Sequence, residues 1–406
     1  MENVSSSNGL EKRPKLRFPG FDEPWKENEL SHYLVENTER NRGLAFGKED
    51  VLSVSGEYGV INQIAFQGRS FAGESVADYH VVETDDIVYT KSPLKANPYG
   101  IIKVNKGIPG IVSTLYAVYH PLNTVAPRFV DLYFANDLRL NKFLKPLVNI
   151  GAKHDMKVNN SFVLTGTVVF PSIGEQQKLV DFFAKLDRRI EAQRKIVDTL
   201  KKYKRGLLNK VFSNINGNIY PTVYLSEVAD FLQGLTYSPS DVSVAGYLVL
   251  RSSNIQNGVL SFDDCVYVDK KVDESLQVKC NDVIMCVRNG SKKLVGKTAL
   301  IPNNMAMTTW GAFMMIIRSK LNDTYIFHYL NSQMFFSQVF KDTGTATINQ
   351  ITKGILNECK LPLPPETARK QISKMLSSFD VKIQNAEMCL TTLVELKKAF
   401  LQQLFI

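Results

Sequence analysis

The chain has 406 residues, a formal net charge of +9, 44% hydrophobic residues and 22% charged residues. A chain of this length exceeds the usual size of a domain built around one hydrophobic core, so two or more globular domains are expected. No apolar run approaches the roughly 18 residues of a membrane-spanning helix, and the polar N-terminus lacks an apolar secretory core, so we expect a cytoplasmic protein with no membrane partner. The five cysteines and five histidines show no metal-binding spacing, so we expect no metal site.

Five segments follow one another along the chain. The pattern predicts a polar lead at 1–24, a first domain at 25–170, a long helix at 171–213, a second domain at 214–362 and a second long helix at 363–406. Both domains have short runs rich in Val, Ile, Tyr and Phe between turn residues, which is typical of strand-rich α/β structure. The predicted fold class is α+β, with two similar α/β domains separated by two long helices.

The two helical segments repeat one apolar pattern at a constant offset of 193 residues. Its steps alternate between four and three residues, which is a heptad seam. The seam of the first helix comprises Leu179, Phe183, Leu186, Ile190, Val197, Leu200 and Leu207. The seam of the second helix comprises Ile372, Leu376, Phe379, Ile383, Leu390, Leu393 and Phe400. A lone helix would expose this stripe, so we predict that the helices pair as an antiparallel intramolecular coiled coil.

The regions before the helices also share landmarks, although most residues between the landmarks differ. Gly59-Val60-Ile61 matches Gly258-Val259-Leu260, and Asp86-Ile87-Val88 matches Asp282-Val283-Ile284. Self-similarity of this kind indicates a duplicated architecture. We therefore predict a pseudo-twofold internal repeat in which one scaffold carries two different surfaces.

Basic charge and polar loops are the main functional signals. Residues 171–212 hold eleven Lys and Arg against five acidic residues, a surplus that favours a polyanion or an acidic partner. In the domains, Arg, Asn and Gln can bond to base edges, while Lys and Arg can bind phosphates. The candidate DNA-binding residues are Gln67, Arg69, Lys91, Lys95, Arg251, Asn254, Gln256, Arg288, Asn289, Lys292, Lys293, Lys297 and Asn349. Each alone also fits an ordinary polar loop, whereas their recurrence in both halves favours a nucleic-acid contact.

Motifs for catalysis are incomplete. Residues 291–298 resemble a phosphate-binding loop, but Ser291 replaces its first glycine and a strand stopped by Pro302 follows instead of a helix. Asn97-Pro98-Tyr99-Gly100 lacks the second proline of the adenine-binding motif of amino-methyltransferases, and no glycine-rich turn is present for a methyl donor. We expect no catalytic residue in this chain. The alternatives are a self-contained DNA methyltransferase or nuclease, and a coiled-coil adaptor without sequence preference.

The whole layout resembles the DNA-specificity subunit of a Type I restriction–modification system. The resemblance rests on the order and duplication of short segments at the helix starts and ends. These segments are 170–178, 186–190, 201–208, 361–364, 379–383 and 396–401. At the second helix start, Glu366-Thr-Ala-Arg369 departs from the Glu-Gln-Gln of the first copy.

The resemblance implies a non-catalytic subunit with two target-recognition domains, each contacting half of a split double-stranded DNA site. The helices would set the distance between the domains and bind two methyltransferase subunits, which restriction–translocase subunits join for cleavage. No cofactor is then expected on this chain. S-adenosylmethionine would bind the methyltransferase subunit, and ATP and Mg²⁺ would bind the restriction subunit.

Overall fold

The computed structural model describes residues 12–150, 156–213, 219–303, 305–341 and 350–406. By their internal contacts the residues form two compact units. Unit 1 comprises Met1–Ala192 with Leu390–Ile406, and unit 2 comprises Gln193–Cys389. The division falls inside both long helices and not at their ends, so each unit combines one mixed domain with part of each helix.

Unit 1 contains twelve described strands and four short helices before the first long helix. The strands are β1 (Lys26–Glu29), β2 (Leu34–Asn37), β3 (Leu52–Ser55), β4 (Gly59–Asn62), β5 (His80–Val82), β6 (Ile87–Thr90), β7 (Ile101–Val104), β8 (Gly110–Val112), β9 (Tyr116–Pro121), β10 (Asn149–Ile150), β11 (Met156–Lys157) and β12 (Thr167–Phe170). The helices are α1 (Gln63–Gln67), α2 (Pro127–Tyr133), α3 (Asp137–Leu144), α4 (Asn160–Val163) and α5 (Ile173–Val211), the first long helix.

An antiparallel sheet in the order β2-β9-β6-β7 forms the centre of unit 1. All four residues of β6 are buried, which is expected for a strand covered on both faces. The largest core cluster contains Trp25, Phe129 and Phe170. Phe405, just beyond the end of the second long helix, also lies in this core, where its ring stacks on Phe129 with centroids 5.6 Å apart.

Unit 2 repeats this plan with additions. Its strands are β13 (Thr222–Tyr224), β14 (Ala229–Gln233), β15 (Val242–Ser243), β16 (Tyr247–Leu250), β17 (Ile255–Gln256), β18 (Val259–Leu260), β19 (Tyr267–Val268), β20 (Val283–Cys286), β21 (Thr298–Leu300), β22 (Thr308–Trp310), β23 (Met314–Ser319) and β24 (Lys360–Pro362). Its helices are α6 (Leu225–Val228), α7 (Tyr325–Leu330), α8 (Gln333–Val339), α9 (Lys353–Glu358) and the second long helix, α10 (Glu366–Gln403).

The central sheet of unit 2 has the order β14-β23-β20-β21, which matches that of unit 1 strand for strand. A second sheet, β15-β19-β16-β22, includes a parallel pair between β16 and β22. Phe212 lies in the core of this unit against Tyr325 and Tyr329, with ring centroids 5.1 and 5.7 Å apart. The helix and strand content of both units confirms the predicted mixed fold class. No helix among the described ranges is long and apolar enough to cross a membrane.

The landmarks shared by the two sequences hold equivalent turns. Gly59 and Gly258 both have φ in the left-handed region, at +73° and +81°, in the hairpins β3–β4 and β17–β18. The Asp86 and Asp282 carboxylates each accept a bond from the backbone N–H three residues earlier. Their other partners differ, because Asp86 pairs with His120 whereas Asp282 takes both a 2.9 Å and a 2.8 Å bond from the Arg318 guanidinium. The same local frame thus carries different side chains.

The long helices run antiparallel to each other within each unit. In unit 1, Lys397 Nζ lies 2.6 Å from Asp187 Oδ1. In unit 2, Lys204 forms the matching ion pair with Asp380, and Gln193 Nε2 donates to the Ala386 carbonyl at 2.9 Å. Each of the fourteen predicted seam residues is buried or half-buried.

Two buried histidines lower the stability of the units in acid. Burial, reinforced by the charge of Lys204, lowers the pKa of His328 from 6.5 to about 3, and burial with nearby Arg40 lowers that of His80 to about 4. Below pH 6.5 these imidazoles are protonated in the unfolded chain but stay neutral in the folded chain. The free energy of unfolding therefore decreases as the pH falls through that range. At pH 5 the loss is about 2 kcal/mol for His328.

Denaturant unfolding at pH 7.5 and pH 5 tests this prediction. The variant His328→Leu lacks the titrating imidazole, so it should lose that part of the pH dependence. His32→Leu removes an exposed imidazole and is the matched control. An unchanged pH dependence in His328→Leu would show that this imidazole is not held neutral.

Candidate nucleic-acid interface

A concave surface of unit 2 brings together three of the predicted DNA-binding residues. A cavity of about 700 Å³ lies between the end of β16, the end of β20 and the turn before β23. Arg251, Arg288 and Asn289 line it, together with Tyr237 and Phe313. These residues are far apart in sequence, and the pairing of their strands places them on one surface.

The loop after β16 owes its shape to Asn254. This side chain accepts a 2.9 Å bond from the Arg251 N–H and donates 3.0 Å bonds to the carbonyls of Ser261 and Asp264. Asn254 is 0% exposed. The prediction that it contacts DNA is therefore wrong: its bonding capacity is used within the loop, and it positions Arg251 instead.

The two arginines of this cavity are held differently. The Arg251 Nη2 atom lies 2.8 Å from Asp264 Oδ2 in a half-exposed pair. Arg288 is exposed, its backbone N–H donates to the Phe313 carbonyl at 3.1 Å, and its guanidinium lies 5.4 Å from the centroid of the Phe313 ring. An exposed guanidinium fixed at its base can present its donor fork to a base edge or a phosphate.

Asn289 belongs to the same surface. Its Nδ2 donates to Ser252 Oγ at 3.3 Å and its Oδ1 accepts from the Ser291 N–H at 2.9 Å, so the side chain fixes the start of the next loop. A smaller cavity of about 260 Å³ lies on the other side of Phe313, and Arg288, Gln350 and Lys353 line it. None of the described residues that line this second cavity is acidic.

The remaining candidates of unit 2 lie on other surfaces. Lys292 and Lys293 are exposed in a short turn between β20 and β21. Lys293 and Lys297 line a separate cavity of about 350 Å³. Gln256 is exposed and donates to the Ser253 carbonyl at 3.0 Å. Asn349 lies outside the described residues.

In unit 1 the candidates do not form one cluster of contacts. Gln67 ends α1, Arg69 follows it with its guanidinium 4.5 Å from the Phe71 ring centroid, and both are exposed, as is Lys95. Lys91 differs from them. Its Nζ donates to Asn160 Oδ1 at 3.2 Å and to the Thr114 carbonyl at 3.4 Å, and burial lowers its pKa. Lys91 therefore supports a turn of its own unit, and its role as a DNA contact stays a prediction.

A serine, a histidine and an aspartate do meet in unit 2, but not in a catalytic geometry. Ser377 Oγ lies 3.1 Å from His328 Nε2. The next step, from His328 Nδ1 to Asp380 Oδ2, is 3.9 Å, too long for a hydrogen bond, and Asp380 pairs instead with Lys204. Within the described ranges, no group of His, Cys, Asp and Glu could hold a metal ion.

Sequence reasoning missed the aromatic part of the surface. Phe313 stands in the run Ala312-Phe-Met-Met-Ile-Ile317, where a buried strand is the natural expectation. The residue is nevertheless exposed because the strand begins one residue later, at Met314. Phe313 and the four residues after it are all apolar, so the sequence does not distinguish the exposed turn residue from the buried strand.

Comparison with known proteins shows which family and which solved fold the chain resembles. Residues 220–392 match the family described as the Type I restriction modification DNA specificity domain. The chain is 26% identical over 194 residues to the StySPI specificity subunit of Salmonella potsdam, and 26% identical over 189 residues to the EcoKI specificity subunit of Escherichia coli K12. These matches cover 45% and 44% of this chain, but only 41% and 40% of the two relatives. The resemblance to this family predicted from the sequence is confirmed.

A solved structure shares the fold over nearly the whole length. The Type I restriction–modification S subunit from M. genitalium superimposes with a TM-score of 0.59 at 14% sequence identity. The match covers 97% of this chain and 99% of that one. At this identity the likeness concerns the fold.

Proposed function

With a Type I restriction modification DNA specificity domain at residues 220–392 as the premise, we propose that this chain is the DNA-recognition subunit of a Type I restriction–modification complex. The observation that carries the proposal is the shared cavity of Arg251, Arg288 and Asn289, which lies inside the matched domain. An exposed arginine can bond bidentately to the edge of guanine, and Asn289 fixes the loop that begins beside Arg288.

We further propose that the DNA site is split and asymmetric. The two units share a sheet order, whereas their exposed loops differ in sequence and in side-chain contacts. Arg288, for example, has no basic counterpart at Ser92 of the first unit. Each unit then contacts its own half-site, and two different half-sites make a non-palindromic whole.

The long helices supply the proposed spacing between the half-sites. Their lengths of 39 and 38 residues correspond to about 58 Å of helix at 1.5 Å per residue. Half-sites on one DNA face are separated by about 34–36 Å per helical turn. We propose that the helices pair as one antiparallel coiled coil across both units, which the ion pairs Lys397–Asp187 and Lys204–Asp380 support.

The partners follow from the same proposal. The duplicated helices offer two similar surfaces, so two methyltransferase subunits can bind one chain. Restriction–translocase subunits would join this assembly. The chain itself is non-catalytic in this proposal. S-adenosylmethionine would bind to the methyltransferase subunit, and ATP and Mg²⁺ would bind to the restriction subunit.

Alanine variants of the two cavity arginines test the proposed contact. Arg251→Ala and Arg288→Ala should each weaken binding to the specific site by about 1–3 kcal/mol if the guanidinium contacts a base. Binding is measured with the methyltransferase partner present, on specific and on random DNA. Lys320→Ala is the matched control, because Lys320 is exposed just beyond the other end of β23 from Phe313.

The comparison of the two DNAs decides the result. A loss restricted to specific DNA supports base contacts. An equal loss of affinity for both DNAs would show that the arginines contact phosphates. Unchanged affinity for both DNAs would show that this cavity does not contact DNA.

A further inference from the structure

Both units present an exposed apolar side chain at the same turn. The turn Ser113–Tyr116 precedes β9, and the turn Gly311–Met314 precedes β23, the matching strand. In each, the fourth N–H donates to the first carbonyl, at 3.1 Å and 2.8 Å. The third residue is Leu115 in one turn and Phe313 in the other, and these residues are 65% and 60% exposed.

The backbone N–H just beyond the end of the neighbouring strand holds each turn, at Lys91 after β6 and at Val287 after β20, whose N–H donates to the Phe313 carbonyl at 3.0 Å. The Lys91 N–H donates to the Leu115 carbonyl at 3.4 Å, and its Nζ reaches the Thr114 carbonyl. The Arg288 N–H donates to the Phe313 carbonyl at 3.1 Å, and its guanidinium lies over the Phe313 ring. Both turns are therefore tied to their sheet by backbone and side-chain contacts, which limits the freedom of the apolar residue.

In unit 2 the apolar residue forms a ridge. Phe313 lines both the cavity of about 700 Å³ and the cavity of about 260 Å³, and so does Arg288. Among the described residues, the charged side chains that line the two cavities are Arg251, Arg288, Lys353 and Asp264. The exposed Phe313 ring can contact bases, and the basic residues in the two cavities beside it can contact phosphates.

Single exposed apolar residues are common on protein surfaces and need no explanation. Here the exposure recurs at one turn of a duplicated scaffold whose loop residues otherwise differ. A feature shared by both units should contact a structure that both half-sites share, and every half-site contains stacked base pairs. Leucine and phenylalanine are among the side chains that wedge between base pairs, unstack them and bend DNA.

We propose that Leu115 and Phe313 are wedges, each of which inserts between adjacent base pairs in the half-site of its own unit. The inference rests on the proposed function and extends it. Insertion makes the affinity depend on how easily the local base step deforms, so part of the specificity comes from positions that form no hydrogen bond with the protein.

Fluorescence of 2-aminopurine, which rises when the base loses its stacking partners, tests the wedges. Duplexes carrying the probe at successive positions of the recognised site, other than the methylated base, are bound by the full chain with its methyltransferase partner. The wild type should brighten one probe position in each half-site. Phe313→Ala should abolish the rise in one half-site and weaken binding roughly tenfold, and Leu115→Ala should do the same in the other half-site.

Variants of the same units provide the controls. Leu138→Ala and Val244→Ala remove residues that are 83% and 98% exposed elsewhere, and both should leave fluorescence and affinity unchanged. Phe313→Leu places the side chain of the first turn in the second and should keep the signal.

The outcomes separate the wedge from the proposed function. Specific binding without any rise in fluorescence would overturn the wedge and leave the DNA-recognition role intact. A rise that persists in both alanine variants would also overturn it. Absence of any sequence preference in the wild type would instead overturn the proposed function.

Discussion

Exchanging residues 219–363 for the matching domain of a related specificity subunit should change one half of the recognised DNA site and leave the other half unchanged. The expected effect is large, because a mismatch at each base pair of a half-site costs about 1–3 kcal/mol and a new half-site differs at several. Methylation mapping of cells that carry the exchanged chain measures the result directly.

The structure sets the ends of the exchanged segment. Strands β13 and β24 pair with each other, Thr222 opposite Pro362, so a cut at residue 360 would divide a paired strand. The core of unit 2 also contains Leu208 and Leu376 from the long helices, and Phe212 just beyond the end of the first. A suitable donor domain therefore keeps apolar residues on the surface that covers these three.

An exchange of residues 25–170 is the matched control and should change only the other half-site. If either exchange altered both halves of the site, the units could not be independent readers. If neither altered the site, sequence recognition would lie outside the domains.

Adding seven residues to each long helix, after Leu200 and after Leu393, should lengthen the spacer between the half-sites or abolish specific binding. Seven residues add about 10 Å of helix, equivalent to about three base pairs of DNA. Because the insertion is one whole heptad in each helix, the apolar seam stays in phase when the antiparallel helices shift against each other.

A four-residue insertion at the same two places is the control. It breaks the heptad phase, so it should lower the stability of the helix pair without producing a defined new spacer. The spacer is read from the methylated sites of each variant. An active seven-residue variant whose spacer remained that of the wild type would contradict the role of the helices as a ruler.

The long helices could be predicted closely because their signal is local and periodic. The first begins at Ile173 and ends at Val211, within the predicted range of 171–213. Leu179 and Phe183, predicted on the apolar seam, are each 1% exposed. A heptad pattern depends only on residues three and four apart, so the sequence contains all the information that the element needs.

The candidate site was harder to predict because it depends on contacts that are distant in sequence. Arg251 and Arg288 share one cavity only because β16 and β20 bring their ends together. The loops around Asn254 and Lys91 have the polar composition of a binding site, yet the Asn254 side chain bonds within its own loop and that of Lys91 bonds to Asn160 of the same unit. Residue type indicates which groups a side chain can bond, but the fold determines which of those groups lies beside it.

The matched turns show a further limit of single residues and a strength of the internal repeat. Neither Leu115 nor Phe313 carries a recognisable signal alone. Their equivalence follows from the matching strand orders of the two central sheets, since the two turns lead into the corresponding strands β9 and β23. The two units of a duplicated chain can thus be compared with each other. Features common to both units indicate a common function, and features that differ between them indicate specificity.

The most direct measurement of the central claim is the map of methylated positions in DNA from cells that carry this chain with its methyltransferase partner. Recognition by two unlike units predicts a single motif of two different half-sites separated by a fixed number of unspecified base pairs. A palindromic or continuous motif, or methylation unaffected by deletion of this chain, would contradict it.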